Sequence, residues 1–145
     1  FALFSAEEKG LVGSRELARQ MKENGENVVA MINFEMTGTP MVDKDYITYL
    51  TGYDTSNMGE ILNRENEKRK VTAKLEAAAA MNLFKRSDNY SFYEVFQVPS
   101  QTLSTFDFTN FDEYHKVGDE ISGVNATHMS QVVDAVMPGI FSIVN

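Results

Sequence analysis

A nearly unbroken apolar run, Val28 to Phe34, lies between the helix-stopping pair Asn24-Gly25 and the loop signal Met36-Thr37-Gly38. Apolar residues that run on, rather than alternate, mark a strand covered on both faces, and such strands belong to α/β sheets flanked by helices. The neighbouring segments agree. Upstream, Gly13-Ser14 predicts the cap of a helix from about Arg15 to Lys22, with Leu17, Ala18 and Met21 on one face. Downstream, Tyr46 to Thr51 alternates, is rich in β-formers and ends in Gly52, so it reads as a second strand. Ser56 predicts the cap of a helix that passes through Ile61 and Leu62 into the charged stretch Arg64 to Lys70, read as a solvated face.

Further along, Val71 to Phe84 is open between helix, favoured by Ala77-Ala78-Ala79-Ala80, and an irregular connection. Arg86 to Asn89 reads as a turn and Ser91 to Phe96 as a short helix. Pro99-Ser100 leads into a strand from Gln101 to Phe106. Met129, Val132, Val133, Val136, Ile140 and Val144 recur at helical spacing, with Asn125 or Thr127 as cap and Pro138 as a kink. The expected architecture is α/β, a mixed sheet sandwiched by helices, in one domain without repeat or linker. At 145 residues the chain is long enough to bury a core. Phe1 to Phe4 reads as the inside of a buried strand with no initiator Met or leader before it, so the chain reads as a fragment and its missing leader says nothing about export.

Charge and composition exclude several functions. A formal net charge of −8 is the wrong sign for a nucleic-acid backbone. No apolar run is long enough to span a bilayer. Zero cysteines rule out disulfides, thiolate zinc sites and cysteine nucleophiles, leaving carboxylates and the two histidines, His115 and His128, as strong metal donors. His128 falls on the C-terminal helix and reads as a surface residue. The methionines, Met36 included, read as core filler.

Among the acids, Glu7 and Glu8 follow the apolar run Phe1 to Phe4, and Glu35 closes the strand that ends at Phe34. The doublet is either a solvated strand end or a pair in which one carboxylate meets a metal and the other meets its water. Ligands gather at the C-terminal edge of open α/β sheets, which would set Glu8 and Glu35 side by side.

FSAEEKGLVGS, INFEMTG and, after SDNYSF, EYHKVGDEIS resemble, in order and spacing, the motifs of the family M28 zinc peptidases, the group of bacterial leucyl-type aminopeptidases. The resemblance covers most of the chain. It implies a zinc-exopeptidase fold of which residues 1–145 form the C-terminal portion, acting on peptide substrates with two zinc ions. It further implies that Glu7 is the general base, Glu8 and His115 ligands of one metal, Glu35 a ligand of the other, and Tyr114 a donor to the oxyanion. Asp88, Asn89 and Asp119 resemble acids and substrate-site residues that brace or line the family's site. Many relatives carry Asp where Glu35 stands and often His where Asn89 stands. The family's own histidine and bridging aspartate lie upstream of the glutamate pair, outside this sequence, so the chain alone is expected to bind zinc weakly, to be inactive, and to self-associate or pair with an absent N-terminal half. An exported or periplasmic bacterial protein follows from the likeness alone.

Taken singly, the same residues have plainer readings: His115 as a hydrogen-bonded structural histidine, Tyr114 as a packed ring, Asp119 as a turn cap, Asp88 and Asn89 as turn formers. Two other functions compete with the peptidase. One is glutaminyl cyclisation on the same fold with a single zinc, against which Lys9-Gly10-Leu11-Val12-Gly13-Ser14 matches the peptidase branch better. The other is a noncatalytic binding or dimerisation domain, against which Glu7, Glu8, Glu35 and His115 stand intact.

Overall fold

The computed structural model describes residues 1–66 and 69–145. Strands β1 (Met31–Phe34), β2 (Tyr46–Leu50), β3 (Lys70–Ala73) and β4 (Ser100–Ser104) form one mixed sheet in the order β1-β4-β2-β3. β1 runs parallel to β4 and β2 parallel to β3, while β2 and β4 are antiparallel and overlap only near their C-terminal ends, where Tyr49 faces Ser104 and Leu50 faces Leu103. Strands arriving from opposite directions therefore finish at the same place.

Strand alternation gives the sheet two unlike faces. Ile32, Leu103 and Leu50 belong to an apolar core with Val71, with Met58 and Leu62 of α2 (Met58–Arg64), and with Val132 and Val136 of α5 (Ala126–Val144). On the opposite face the register that pairs Asn33 with Thr102 sets polar side chains next to each other. They meet α4 (Asn89–Phe96), behind which α1 (Val12–Glu23) packs through a 2.9 Å contact between the Ser14 and Ser91 hydroxyls. The short α3 (Glu76–Ala80) covers Tyr46, Tyr49 and Ala73. The architecture is the expected α/β sandwich, with an apolar face that holds it together and a polar face left for chemistry.

Several local expectations change. Phe1 to Phe4 is not a buried strand: Phe1 and Leu3 are fully exposed, the segment joins no ladder, and Phe4 packs its ring 5.9 Å from Phe92. Val28 to Phe34 is shorter and less covered than its composition suggests, because β1 pairs on one side only and Phe34 remains 38% exposed. The N-terminus of α1 is not capped by Ser14, which is buried and donates to the Leu11 carbonyl. The Val12 and Gly13 amides instead donate to the carbonyls of Ala6 and Ser5, an approach so close that a Cβ on Gly13 would lie 2.6 Å from the Ser5 oxygen.

The helix begun near Ser56 ends at Arg64 rather than running on into the charged stretch, of which Glu67 and Lys68 lie outside the described residues. Lys70 to Ala73 is a strand, and the alanine run does form a helix, of five residues. At the C-terminal end the side chain of Asn125 accepts from the His128 amide, as a cap should, and Pro138 lies inside α5. His128 is not a plain surface residue, since its Nε2 is shielded from solvent and unpartnered.

Candidate functional site

Where β1, β2 and β4 finish together, the polar face opens into a cavity of about 350 Å³. Glu7, Glu8, Glu35, Asp88, Tyr114 and His115 all line it, brought there from chain segments far apart in sequence. Glu7 and Glu8 sit on a 3-10 turn, Glu7–Lys9, and not on a strand end. At about three residues per turn, adjacent side chains diverge by roughly a third of a circle instead of pointing to opposite faces, so both acids reach the same cavity. The turn is closed by Gly10 at φ 101° and entered through Ala6 at φ 56°.

Glu35 leaves β1 at its C-terminal end and is half-buried. Ser87 Oγ donates to its Oε2, and Asn33 Nδ2 donates to the same oxygen at 3.2 Å while also reaching Ser87 Oγ at 2.8 Å and Thr102 Oγ1 at 3.2 Å. Burial raises the Glu35 carboxyl above the usual carboxylate range, and the neighbouring Asp88 adds to the shift, against the lowering effect of the Ser87 and Asn33 bonds. Glu7 is raised as well, first by burial and then by repulsion from Glu35, Glu8 and Asp88. Asp88 is buried and its Oδ1 has no hydrogen-bond partner.

Tyr114 and His115 come from an irregular segment staked at both ends. Asn110 Nδ2 donates to the carbonyls of Thr105 and Pro40, and the Asn125 amide donates to the Gly38 carbonyl. Tyr114 lies between Phe106, with ring centroids 4.6 Å apart, and His115, 3.9 Å away and nearly parallel. Burial, then the Glu8 charge, raises the Tyr114 phenol, which keeps its proton and remains a donor. His115 Nε2 stands 2.9 Å from Glu8 Oε1. His115 has φ 58° and Met36, next to Glu35, φ 51°. With Ala6, each of the three acid- or imidazole-bearing segments thus carries a left-handed residue beside its functional group, the kind of backbone strain that clusters at working sites.

Two residues singled out in the sequence fall outside the cavity lining. Asn89 is fully buried, donating to the Phe84 and Ser100 carbonyls and accepting from Thr102 Oγ1, so its amide is spent on the fold. Asp119 is exposed, on a turn where its amide donates to the Lys116 carbonyl. Conversely, Asn33, Ser87, Met36, Tyr49 and Arg86 line the cavity and were not picked out for it. Met36 is therefore no core filler. Asn33 and Ser87 stand within the quoted segments INFEMTG and SDNYSF, but nothing in their residue type separated them from ordinary strand and turn positions. Tyr49, whose phenol is pushed up to about 12 by burial, reads from sequence simply as a β-former.

The donor types suit zinc, and Glu8 and His115 are spaced close to the roughly 3.3 Å that two donors on one tetrahedral ion would have with bonds of about 2 Å. No group of three or more such side chains converges among the described residues. Glu8 and His115 thus stand together as two side chains of the donor types that zinc takes.

The model of peptidase family M28 matches residues 1–139. A probable leucine aminopeptidase of Arthroderma benhamiae is 26% identical over 139 residues, covering 94% of this chain and 36% of its own length. Two crystal structures of the Legionella pneumophila LapA aminopeptidase share the fold at 21% identity. Their TM-scores are 0.67 and 0.68, over 97% and 95% of this chain and 36% and 38% of theirs. The chain spans little more than a third of the length of each of these proteins.

Proposed function

Because the chain belongs to peptidase family M28, we propose that residues 1–145 are the C-terminal portion of the catalytic domain of a zinc-dependent peptidase that removes N-terminal residues from peptides. The observation that carries this reading is the meeting of Glu7, Glu8, Glu35, Tyr114 and His115 on one cavity wall. Bound zinc would supply Lewis-acid polarisation of the peptide carbonyl and of water, with Glu8 and His115 holding one ion and Glu35 a second. In this reading further donors, outside these residues, complete both shells.

The chain's own groups then have distinct work. Glu7, whose carboxyl is raised by burial and then by the neighbouring acids, takes the proton from the attacking water and returns it to the leaving amine. Tyr114 keeps its phenolic proton and donates it in a hydrogen bond to the carbonyl oxygen as negative charge grows there. The Ser87 and Asn33 donors hold Glu35 in one orientation. Exposed Phe1 and Leu3 and the edge of β1, unpaired among the described residues, offer surface for self-association or for pairing with more of the same protein.

The test uses the full-length protein with a leucyl anilide as substrate. Glu7→Gln should nearly abolish turnover while zinc content stays at the wild-type level, whereas Glu8→Gln should lose zinc too. Equal zinc loss in both variants, or wild-type turnover in Glu7→Gln, refutes the assignment.

A further inference from the structure

Arg86 is the only lysine or arginine lining the cavity among the described residues, and it shares that wall with Glu7, Glu8, Glu35 and Asp88. In spite of those four carboxylates its exposed guanidinium forms no ion pair among the described residues. Its base is rigid. The Arg86 amide donates to the Leu83 carbonyl at 2.9 Å, and the next residues, Ser87, Asp88 and Asn89, are buried and tied to the sheet and to α4. Tyr114, the proposed donor to the scissile carbonyl, lines the same cavity, and the substrate's N-terminal ammonium suits the acidic part of that lining, which leaves the guanidinium for the other side of the scissile bond.

Zinc would engage Glu8 and Glu35, and among the described residues Arg86 is the one lysine or arginine that the lining itself offers to an anion. We propose that Arg86 is a specificity residue that pairs with a carboxylate of the peptide on the leaving-group side of the scissile bond. The inference rests on the peptidase reading above and deepens it. An extended peptide advances only about 3.3 Å per residue, so a pairing one residue past the reacting carbonyl stays within the same cavity. That carboxylate is either the C-terminus of a dipeptide or an acidic side chain in the same place, and a planar guanidinium accepts both as a two-pronged partner.

The experiment compares kcat/KM of the full-length enzyme on Leu-Leu against Leu-Leu amide, and on Leu-Glu amide against Leu-Gln amide, with leucyl anilide as the neutral reference. One pair should show about a tenfold preference for the carboxylate member, and which pair does so identifies the source. The preference should shrink with added salt, fall to about one in Arg86→Gln, and survive in part in Arg86→Lys. Ratios near one for both pairs in the wild type, or an unchanged preference in Arg86→Gln, overturn the inference. Absence of anilide turnover would sink the peptidase reading instead. The preference would then be read from calorimetric binding of Leu-Leu and its amide and of Leu-Glu amide and Leu-Gln amide, ratios near one for both pairs again overturning it.

Discussion

Replacing Asn89 with alanine should cost the fold about 3 kcal/mol, although no part of the side chain touches the cavity. Its Nδ2 donates to the Phe84 carbonyl at 3.1 Å and to the Ser100 carbonyl at 2.9 Å, and its Oδ1 accepts from Thr102 Oγ1 at 2.9 Å. Each bond contributes roughly 1 kcal/mol net, and two of the three stranded partners cannot turn to solvent, because Ser100 and Thr102 are almost wholly buried, while Phe84 is only partly so. The residue ties the start of α4 to β4, and through Thr102 to Asn33 and the Glu35 carboxylate.

With no tryptophan in the chain, urea unfolding is best followed by far-ultraviolet circular dichroism. At a denaturant slope of about 2 kcal/mol per molar, the midpoint of Asn89→Ala should fall by ~1.5 M. Asn89→Asp should be worse near neutrality, since it turns two donors into a charge facing two carbonyl oxygens. Burial would raise that carboxyl in the folded state, so its penalty is absent below the unfolded value of about 4 and grows as pH rises through it. A midpoint shift under ~0.5 M for Asn89→Ala, or an Asn89→Asp variant no less stable at pH 7 than at pH 4, would refute this account.

Gly139→Ala should destabilise by about 1–3 kcal/mol in the same assay, because the new Cβ would lie 2.8 Å from the Leu62 Cα, a backbone atom that moves only if α2 and α5 part. His128 is lowered below its usual value by burial and then by the Arg69 charge. Protons therefore favour the unfolded chain: the stability is complete above about pH 6.5 and is lost as pH falls below it, and His128→Gln should flatten that part of a pH–Tm curve. In the full-length protein, under the proposed peptidase reading, Tyr114→Phe should lower kcat on the order of a hundredfold with little change in KM if the phenol acts on the oxyanion; steady-state kinetics with an unchanged kcat would return Tyr114 to packing against Phe106 and His115.

The amino-acid order alone determined which groups stand at the ends of elements. Glu35 follows an apolar run, Asn125 precedes a helical repeat and Asn89 adjoins a turn, and local pattern is enough to read such positions because strand and helix periods are properties of neighbouring residues. The place of Glu35 at the C-terminal edge of the sheet was legible in the same way, whereas Glu8 reaches the cavity from a 3-10 turn and not from the strand end that its sequence suggests. Only the tertiary structure decided the rest. Lys70 to Ala73 is a strand because β2 pairs with it and because Asn63 Oδ1 accepts the Val71 and Thr72 amides while its Nδ2 donates to the Thr72 carbonyl, partners that no propensity within the segment supplies. Glu7 and Glu8 share a cavity because Ser5 and Ala6 fold back onto the first turn of α1 and bend the chain into a 3-10 turn. Asn89 became a structural amide, and Arg86 a cation without an ion pair among the described residues, through the placing of neighbours from elsewhere in the chain, and distances of that kind are set by packing and not by order.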